Sequence, residues 1–329
     1  MKTEATLGQR GTSFISIMRV IAAFAVVVIH SRSFVDYDSK IYDFIHICVL
    51  WSVPLFFMIT GYIYLGIKKE VSYDSIKKNV FRLLILLFTM GVFYALLERV
   101  FVEKTINANI LLYSIGDVFQ GNTWDHLWYM YSIIGIYLVL PMFSAFVQKD
   151  GKNIYIILFL LGLFRIVVPE ICEIANVSCG FSLPIGEYCF YVFAGGAMYR
   201  LGENRAKKLF VPSCVALASV ILIIAVCMFT FDITITKDYC YSYVAIMTIL
   251  LFIILMSLKV KENNFIKSVS ECSLGIYLIH PFFIHLLVKL FDIRLVGTAQ
   301  VVSFPLACIG IFALSYVSTL VLKKYVKII

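Results

Sequence analysis

The feature that most constrains this chain is a succession of apolar runs, each of about the length that crosses a lipid bilayer. One helical crossing needs about 17 to 25 mostly apolar residues. Backbone polar groups inside a bilayer must bond within their own segment, so each run predicts a helix. The sequence therefore predicts an all-α integral membrane protein, a bundle of about ten transmembrane helices. The ten runs are residues 14–31, 41–66, 79–98, 126–147, 153–170, 185–200, 209–231, 240–258, 273–291 and 300–322.

Composition supports this class and excludes another. Hydrophobic residues make up 61% of the 329 positions and charged residues only 15%, whereas about a quarter of a soluble domain is charged. The formal net charge of +8 does not indicate nucleic-acid binding, because the basic residues lie in short clusters between apolar runs. With no internal repeat and no long linker, residues 1–329 are predicted to form a single membrane domain surrounded by the lipid bilayer.

The distribution of basic residues predicts an orientation. Of the 28 lysines and arginines, 18 lie in the two termini and the even-numbered loops, six lie in the odd-numbered loops and four lie within runs. Lysine and arginine concentrate on the cytoplasmic side, so both termini are predicted to be cytoplasmic. The first run contains Arg19 and is followed by no small-residue cleavage site, so we expect it to remain in the mature protein.

Arg19 and His30 are the first residues that suggest chemistry. Ten residues separate them, and eleven steps of about 100° bring both side chains to one helix face, roughly 16 Å apart. Arginine within a span is costly and normally faces protein or water, so the pair predicts a polar track along the first helix. Imidazole titrates near neutral pH and is a common general base. The alternatives are an arginine that snorkels to the interface and an ordinary interfacial histidine.

The remaining local patterns are weaker. The nine cysteines show no metal-ligand spacing, so no metal site is predicted. Cys172 and Cys179 share a predicted outer loop, where a disulfide and two free thiols are both open. In the longest outer loop, residues 99–125, apolar residues recur at helical spacing and predict a short amphipathic helix.

Five motifs together resemble the acyltransferase-3 family of membrane acyltransferases. They occur in the family's order and extend over nearly the whole chain. They are RVIAAFAVVVIH (19–30), VPLFFMITGY (53–62), HLWYM with YLVLP (126–130 and 137–141), FAGGAMYR (193–200) and SLGIYLIHP (273–281).

The resemblance implies transfer of an acyl group, most often acetyl, from cytoplasmic acyl-CoA to an acceptor outside the membrane. The expected donor is acetyl-CoA, and the expected acceptor is a hydroxyl of a cell-surface glycan or its lipid-linked precursor. The expected location is a bacterial plasma membrane. In this interpretation Arg19 steadies the polar arm of the donor, while His30 deprotonates the acceptor hydroxyl or is itself acylated.

Cations at the cytoplasmic face are expected to bind the donor's phosphates. The predicted topology places four basic residues there: Lys77, Lys78, Arg82 and Arg200. The family tends to have an arginine at the position of Arg82, although Leu84 stands where a proline is common. The alternative is that these residues belong to the ordinary positive-inside population.

A second group is expected to bind the acceptor. Arg165 lies in the predicted outer half of the fifth span, where it needs a carboxylate partner, and Glu187 and Glu98 are the candidates. A structural ion pair is the alternative to a role in binding.

Three further residues match family motifs: His126, Tyr277 and His280. The alternatives are an interfacial position for His126 and an interhelical hydrogen bond for His280. His46 and His285 match no motif and are assigned to packing. The carboxylate that orients His30 is left open among five that the topology allows: Asp36, Asp38, Glu98, Asp117 and Asp125.

A second function from another class is also open. Acyltransferase-3 domains form the membrane half of larger proteins, including membrane-bound serine racemases, where a role in substrate supply or transport is expected. The sequence ends at LysLysTyrValLysIleIle without a soluble domain, which favours a standalone O-acyltransferase. A transporter would also be expected to show inverted repeats or paired broken helices.

Overall fold

The structure, a computed structural model, describes residues 13–34, 39–68, 70–181, 186, 188–261, 263–290 and 300–325. These residues form helices and loops, with no strand among them. The α-helices are α1 Ser13–His30, α2 Lys40–Val49, α3 Ser52–Tyr62, α4 Tyr73–Leu97, α5 Ile110–Gln120, α6 Trp128–Lys149, α7 Asn153–Gly162, α8 Val168–Ile174, α9 Cys189–Phe229, α10 Ser242–Ser257, α11 Asn264–Glu271, α12 Ser273–His285 and α13 Gln300–Tyr325. Four π-helical turns extend α3, α4, α7 and α12: Ile63–Ile67, Glu98–Val102, Leu163–Val167 and Leu286–Leu290.

Helix α1 lies inside the bundle. It packs against α2, α3, α10, α11, α12 and α13. Small and branched residues allow this close packing, and Met18, Ala22 and Val27 are fully buried. A helix that is apolar on most of its faces is suited to such a central position. The ends of α1 are therefore held in place by neighbours on several sides.

Two of the sequence motifs meet where α3 crosses α9. A Cβ atom added to Gly61 would lie 1.8 Å from the carbonyl oxygen of Val192, and one added to Gly195 would lie 1.9 Å from that of Met58. Only glycine permits backbones to approach this closely, as is common at helix contacts within membranes. This close approach of the two backbones explains why the two motifs contain glycine at these positions.

Seven helical segments in the described residues are long and apolar enough to cross a membrane, or eight if the bent pair α11 and α12 forms one span. The prediction of ten is not reproduced by length and composition. The predicted runs 185–200 and 209–231 both fall largely within α9, a 41-residue helix interrupted by non-helical backbone at Gly202, where φ is 75°. The run 240–258 corresponds to α10, which has only 16 residues.

Two local features position the site. Helices α11 and α12 meet at an angle of 67°, so α12 turns into the bundle beside α1. Helix α5 confirms the amphipathic helix predicted in the loop 99–125. Its Val118 is buried near Gly91 of α4, while Leu112 and Phe119 are exposed.

Candidate active site

Three histidines from distant parts of the chain form a cluster. His30 is the last residue of α1, His126 lies in a short 3₁₀ helix, Asp125–Leu127, and His280 lies within α12. Their ring centroids are 5.1 Å apart for His30 and His280, 6.0 Å for His126 and His280, and 6.4 Å for His30 and His126. We call these residues the histidine cluster.

Hydrogen bonds to backbone carbonyl oxygens hold two residues of the histidine cluster in place. The hydroxyl of Tyr277 donates to the carbonyl oxygen of His126, and Nδ1 of His280 lies 3.1 Å from the carbonyl oxygen of Ile276. The Nε2 atoms of His126 and His280 are both buried, and neither has a hydrogen-bond partner among the described residues. A buried polar atom left unpaired costs about 1 to 3 kcal/mol. Such atoms call for an explanation, and a bound substrate that completes the hydrogen bonding is one.

An aromatic stack lies against the histidine cluster. The Trp124 ring lies between Tyr94 and His285, with centroids 4.2 Å and 3.9 Å away and interplanar angles of 22°. Its Nε1 donates to Glu98 Oε2 at 3.1 Å. The hydroxyl of Tyr94 donates to the carbonyl oxygen of Leu278 at 2.5 Å, which ties α4 to α12. His285 thus packs as expected, whereas the sequence gives no sign of the roles of Trp124 and Tyr94.

A cavity of about 1010 Å³ extends from exposed basic side chains to the buried ring of Tyr277. One carboxylate, Glu271, is also among the residues that line it. We call the basic residues at its open end the cationic mouth: Lys68, Lys78, Arg82 and Lys323. The predicted donor contacts Lys78 and Arg82 therefore lie together at the entrance.

Arg19 lines the wall of this cavity. Its electrostatic neighbours are Tyr64, Tyr129 and Tyr137, and within the described part of the chain no carboxylate forms an ion pair with it. Val26, two helical turns further along α1, lines the cavity as well. The face of α1 that carries Arg19 thus follows the cavity towards His30.

Tyr277 separates the cavity from the histidine cluster. It lines the inner end of the cavity, and its ring lies 5.7 Å from that of His126 and 6.3 Å from that of His280. The histidines themselves are not among the lining residues. A molecule that fills the cavity therefore comes within one side chain of the cluster.

Arg200 lies elsewhere. Its Nη1 donates to the carbonyl oxygens of Gly196 and Leu65, at 3.1 Å and 3.2 Å, and it is not among the residues that line the cavity. Leu65 belongs to the π-helical turn that ends the second span. Arg200 thus joins α9 to the end of that span.

Arg165 belongs to a second, smaller pocket of about 400 Å³. Glu170, Glu173 and Asp238 share its lining. The carboxylate of Glu173 accepts hydrogen bonds from Thr236 and Tyr241, and that of Glu170 accepts one from the backbone of Ser242. Glu187, one of the two carboxylates predicted beside Arg165, lies outside the described residues.

Cys172 and Cys179 are free thiols whose side chains interact with each other. The disulfide that the sequence left open is therefore not formed. In the part of the chain that the structure describes, no group of three or more histidine, cysteine and carboxylate side chains could hold a metal ion.

A multi-pass helical membrane protein with a cavity leading to clustered histidines is the class that the fold and site define. A family described as "Acyltransferase domain" matches residues 12–320. The chain belongs to this acyltransferase-3 family, which confirms the resemblance seen in the five motifs. Together with its apolar helices, this makes it a multi-pass membrane protein of an acyltransferase family.

One characterised relative comes from Enterococcus faecalis and is named "Amino-acid racemase". It is 27% identical to this chain over 288 residues, which cover 81% of the chain and 40% of the relative. The chain thus spans about two fifths of that protein's length. No solved structure matches the chain.

Proposed function

We propose that this protein transfers an acyl group, typically acetyl, from acyl-CoA to a hydroxyl of a cell-surface glycan or its lipid-linked precursor. The observation that carries the proposal is the cavity, which begins at the cationic mouth and ends at Tyr277, beside three clustered histidines. A thioester carried on a long polyphosphate-bearing arm fits a site that is basic at one end and buried at the other.

The donor enters the cavity thioester first, and its phosphates remain at the cationic mouth. Lys78 and Arg82 bind the phosphates, because ammonium and guanidinium groups form charge-assisted bonds with phosphate oxygens. The arm then passes Arg19, which has N–H groups to offer and no ion-pair partner among the described carboxylates. The thioester stops at Tyr277 and reaches His30 when that ring moves aside.

His30 acts as the general base. It removes the proton of the acceptor hydroxyl, the oxygen attacks the thioester carbonyl, the carbon–sulfur bond breaks and the proton passes to the departing thiolate. Attack by His30 itself, giving an acyl-histidine that the acceptor then resolves, is the other route open to the same residue. His126 and Tyr277 bind the acceptor, with His280 beside His30 and with Arg165 and Glu187 further along the acceptor's path.

The proposed topology has ten crossings with both termini in the cytoplasm of a bacterial plasma membrane. The asymmetry of lysine and arginine supports it, as does the break in α9 at Gly202, since 41 helical residues would span roughly twice the thickness of a bilayer. Cysteine labelling of intact cells would test it: position 204 should be protected from an impermeant reagent, and labelling there would contradict the model.

A second function is favoured by the relative named as a racemase. In that case the membrane domain supplies or transports a substrate for an amino-acid racemase. The same cavity would then serve as a transport route, and acyl-CoA would not be consumed.

One experiment separates the two functions. Purified protein in proteoliposomes is supplied with radiolabelled acetyl-CoA and, in parallel, with radiolabelled serine. With no glycan acceptor present, water takes the place of the acceptor hydroxyl, and we expect hydrolysis of acetyl-CoA to acetate and free CoA that is lost in a His30→Ala variant of equal thermal stability. Serine uptake without consumption of acetyl-CoA would overturn the acyltransferase proposal.

A further inference from the structure

A histidine that works as a base needs a partner for its second ring nitrogen, and the sequence does not say which residue this is. Such a partner fixes the orientation and tautomer of the ring and stabilises the imidazolium that forms. A carboxylate is the usual choice. Five carboxylates qualify by predicted topology, and the structure describes three of them.

The three described carboxylates have other partners or positions. Asp117 binds Arg99, with Oδ2 lying 2.6 Å from Nη2 and 3.1 Å from Nε. Glu98 accepts from the indole of Trp124. Asp125 is exposed at the start of the turn that carries His126. Within the described residues, no ion pair links a carboxylate to His30. Asp36 and Asp38 lie outside the described residues.

His280 offers what a partner needs. Its side chain is fully buried, and its ring lies 5.1 Å from that of His30, closer than the ring of His126. Two imidazoles joined by one N–H···N bond of about 2.9 Å have centroids roughly 5 Å apart. The two ring centroids are therefore at the separation that such a bond requires.

The contacts of His280 also fix its tautomer. The carbonyl oxygen of Ile276 can only accept a hydrogen bond, so the neighbouring Nδ1 carries the hydrogen of the neutral ring. Nε2 then bears a lone pair, and this buried nitrogen is the one that has no hydrogen-bond partner among the described residues. The ring is thus held with a hydrogen-bond acceptor unsatisfied beside the proposed base.

We propose that His280 is the positioning residue of His30, in the place where a carboxylate would be expected. This inference rests on the proposed function. One nitrogen of His30 takes the acceptor's proton and passes it to the thiolate as the carbon–sulfur bond breaks. The other nitrogen donates its hydrogen to Nε2 of His280 throughout. His280 gains and loses no proton in the cycle, and it stabilises the imidazolium by accepting this bond.

The test uses substitutions that separate the two nitrogens of His280. Asparagine keeps a donor near the position of Nδ1 and removes Nε2, whereas glutamine places an amide oxygen near the position of Nε2. In acetyl-CoA turnover by the full-length protein in proteoliposomes, we expect His280→Asn to lower kcat about 100-fold, with KM for acetyl-CoA within about twofold. His280→Gln should recover at least about tenfold of this loss.

Matched controls address the rival partners. His46→Asn makes the same change at another histidine with an unpartnered buried nitrogen and should stay within about twofold of wild type. Asp36→Asn and Asp38→Asn should do the same. A folded His280→Asn protein with wild-type kcat would overturn the proposal, as would a 100-fold loss in either aspartate variant alone.

Two further outcomes complete the test. If thermal unfolding shows that His280→Asn is not folded, His280→Gln decides: the proposal requires at least about a tenth of wild-type kcat, and a folded but inactive protein contradicts it. His30→Ala is measured beside them. Activity in His30→Ala would remove the proposed function, whereas an inactive His30→Ala with a fully active His280→Asn removes only the role of His280.

Discussion

The histidine cluster and the cationic mouth are built in opposite ways. His126 and His280 are buried, backed by a stack of aromatic rings, and each retains an unpartnered nitrogen. At the mouth, Lys78 and Arg82 are exposed. Electrostatic interactions between buried groups are strengthened by the low dielectric of their surroundings, whereas those of exposed charges are screened by water and salt. Substitutions at the buried end should therefore lower kcat strongly, and those at the mouth should change KM modestly.

The largest effect is expected at His30. His30→Ala should lower kcat about 1000-fold, because general acid–base catalysis contributes factors of about 10² to 10⁴. The KM for acetyl-CoA should change little, since His30 does not line the cavity. Steady-state release of CoA measures both constants. A 1000-fold loss in kcat accompanied by a large rise in KM would mean that the histidine cluster and the cationic mouth do not act separately.

Arg19 is expected to give an intermediate effect. Arg19→Met should raise KM for acetyl-CoA about 10- to 100-fold, as a hydrogen bond to a charged group contributes about 1.5 to 3 kcal/mol. Thermal stability should not fall, because this half-buried cation has no ion-pair partner among the described carboxylates to leave behind. Arg19→Lys should lie between the two. A loss of stability with unchanged KM would make Arg19 structural.

The smallest effects are expected at the cationic mouth. Lys78→Ala and Arg82→Ala should each raise KM about two- to fivefold, since exposed charge pairs contribute up to about 1 kcal/mol. The increase should shrink at high salt. Lys77 provides the control: it is adjacent in sequence, does not line the cavity and pairs with Asp74 at 2.7 Å. Equal effects for Lys77→Ala and Lys78→Ala would argue against a specific donor site.

The sequence predicts the buried end better than its surroundings. Helical periodicity places Arg19 and His30 on one face, and the motif resemblance selects His126, Tyr277 and His280, which the structure brings together. The aromatic stack could not be predicted, because Tyr94, Trp124 and His285 meet only after two distant helices and a loop pack together. No local pattern encodes a contact between residues up to 161 positions apart.

Arg200 shows the opposite limit. Counting basic residues predicts a cytoplasmic position for it, and a cation at that face is an expected phosphate ligand. Its guanidinium instead binds carbonyl oxygens, one of them within a π-helical turn. Such turns have no reliable sequence signal, so the carbonyl oxygen of Leu65 could not be predicted as a partner of Arg200. The count of ten spans is not confirmed for a related reason, since hydropathy does not reveal that two predicted runs fall largely within one helical segment, α9, with its break at Gly202.

The most direct test of the account is a structure of the full-length protein with acetyl-CoA bound. We expect the phosphates at Lys78 and Arg82, the pantetheine arm beside Arg19, and the thioester carbon within about 4 Å of a nitrogen of His30, with Tyr277 moved aside. Acetyl-CoA bound outside the cavity, or inside it with the thioester directed away from the histidine cluster, would contradict the account.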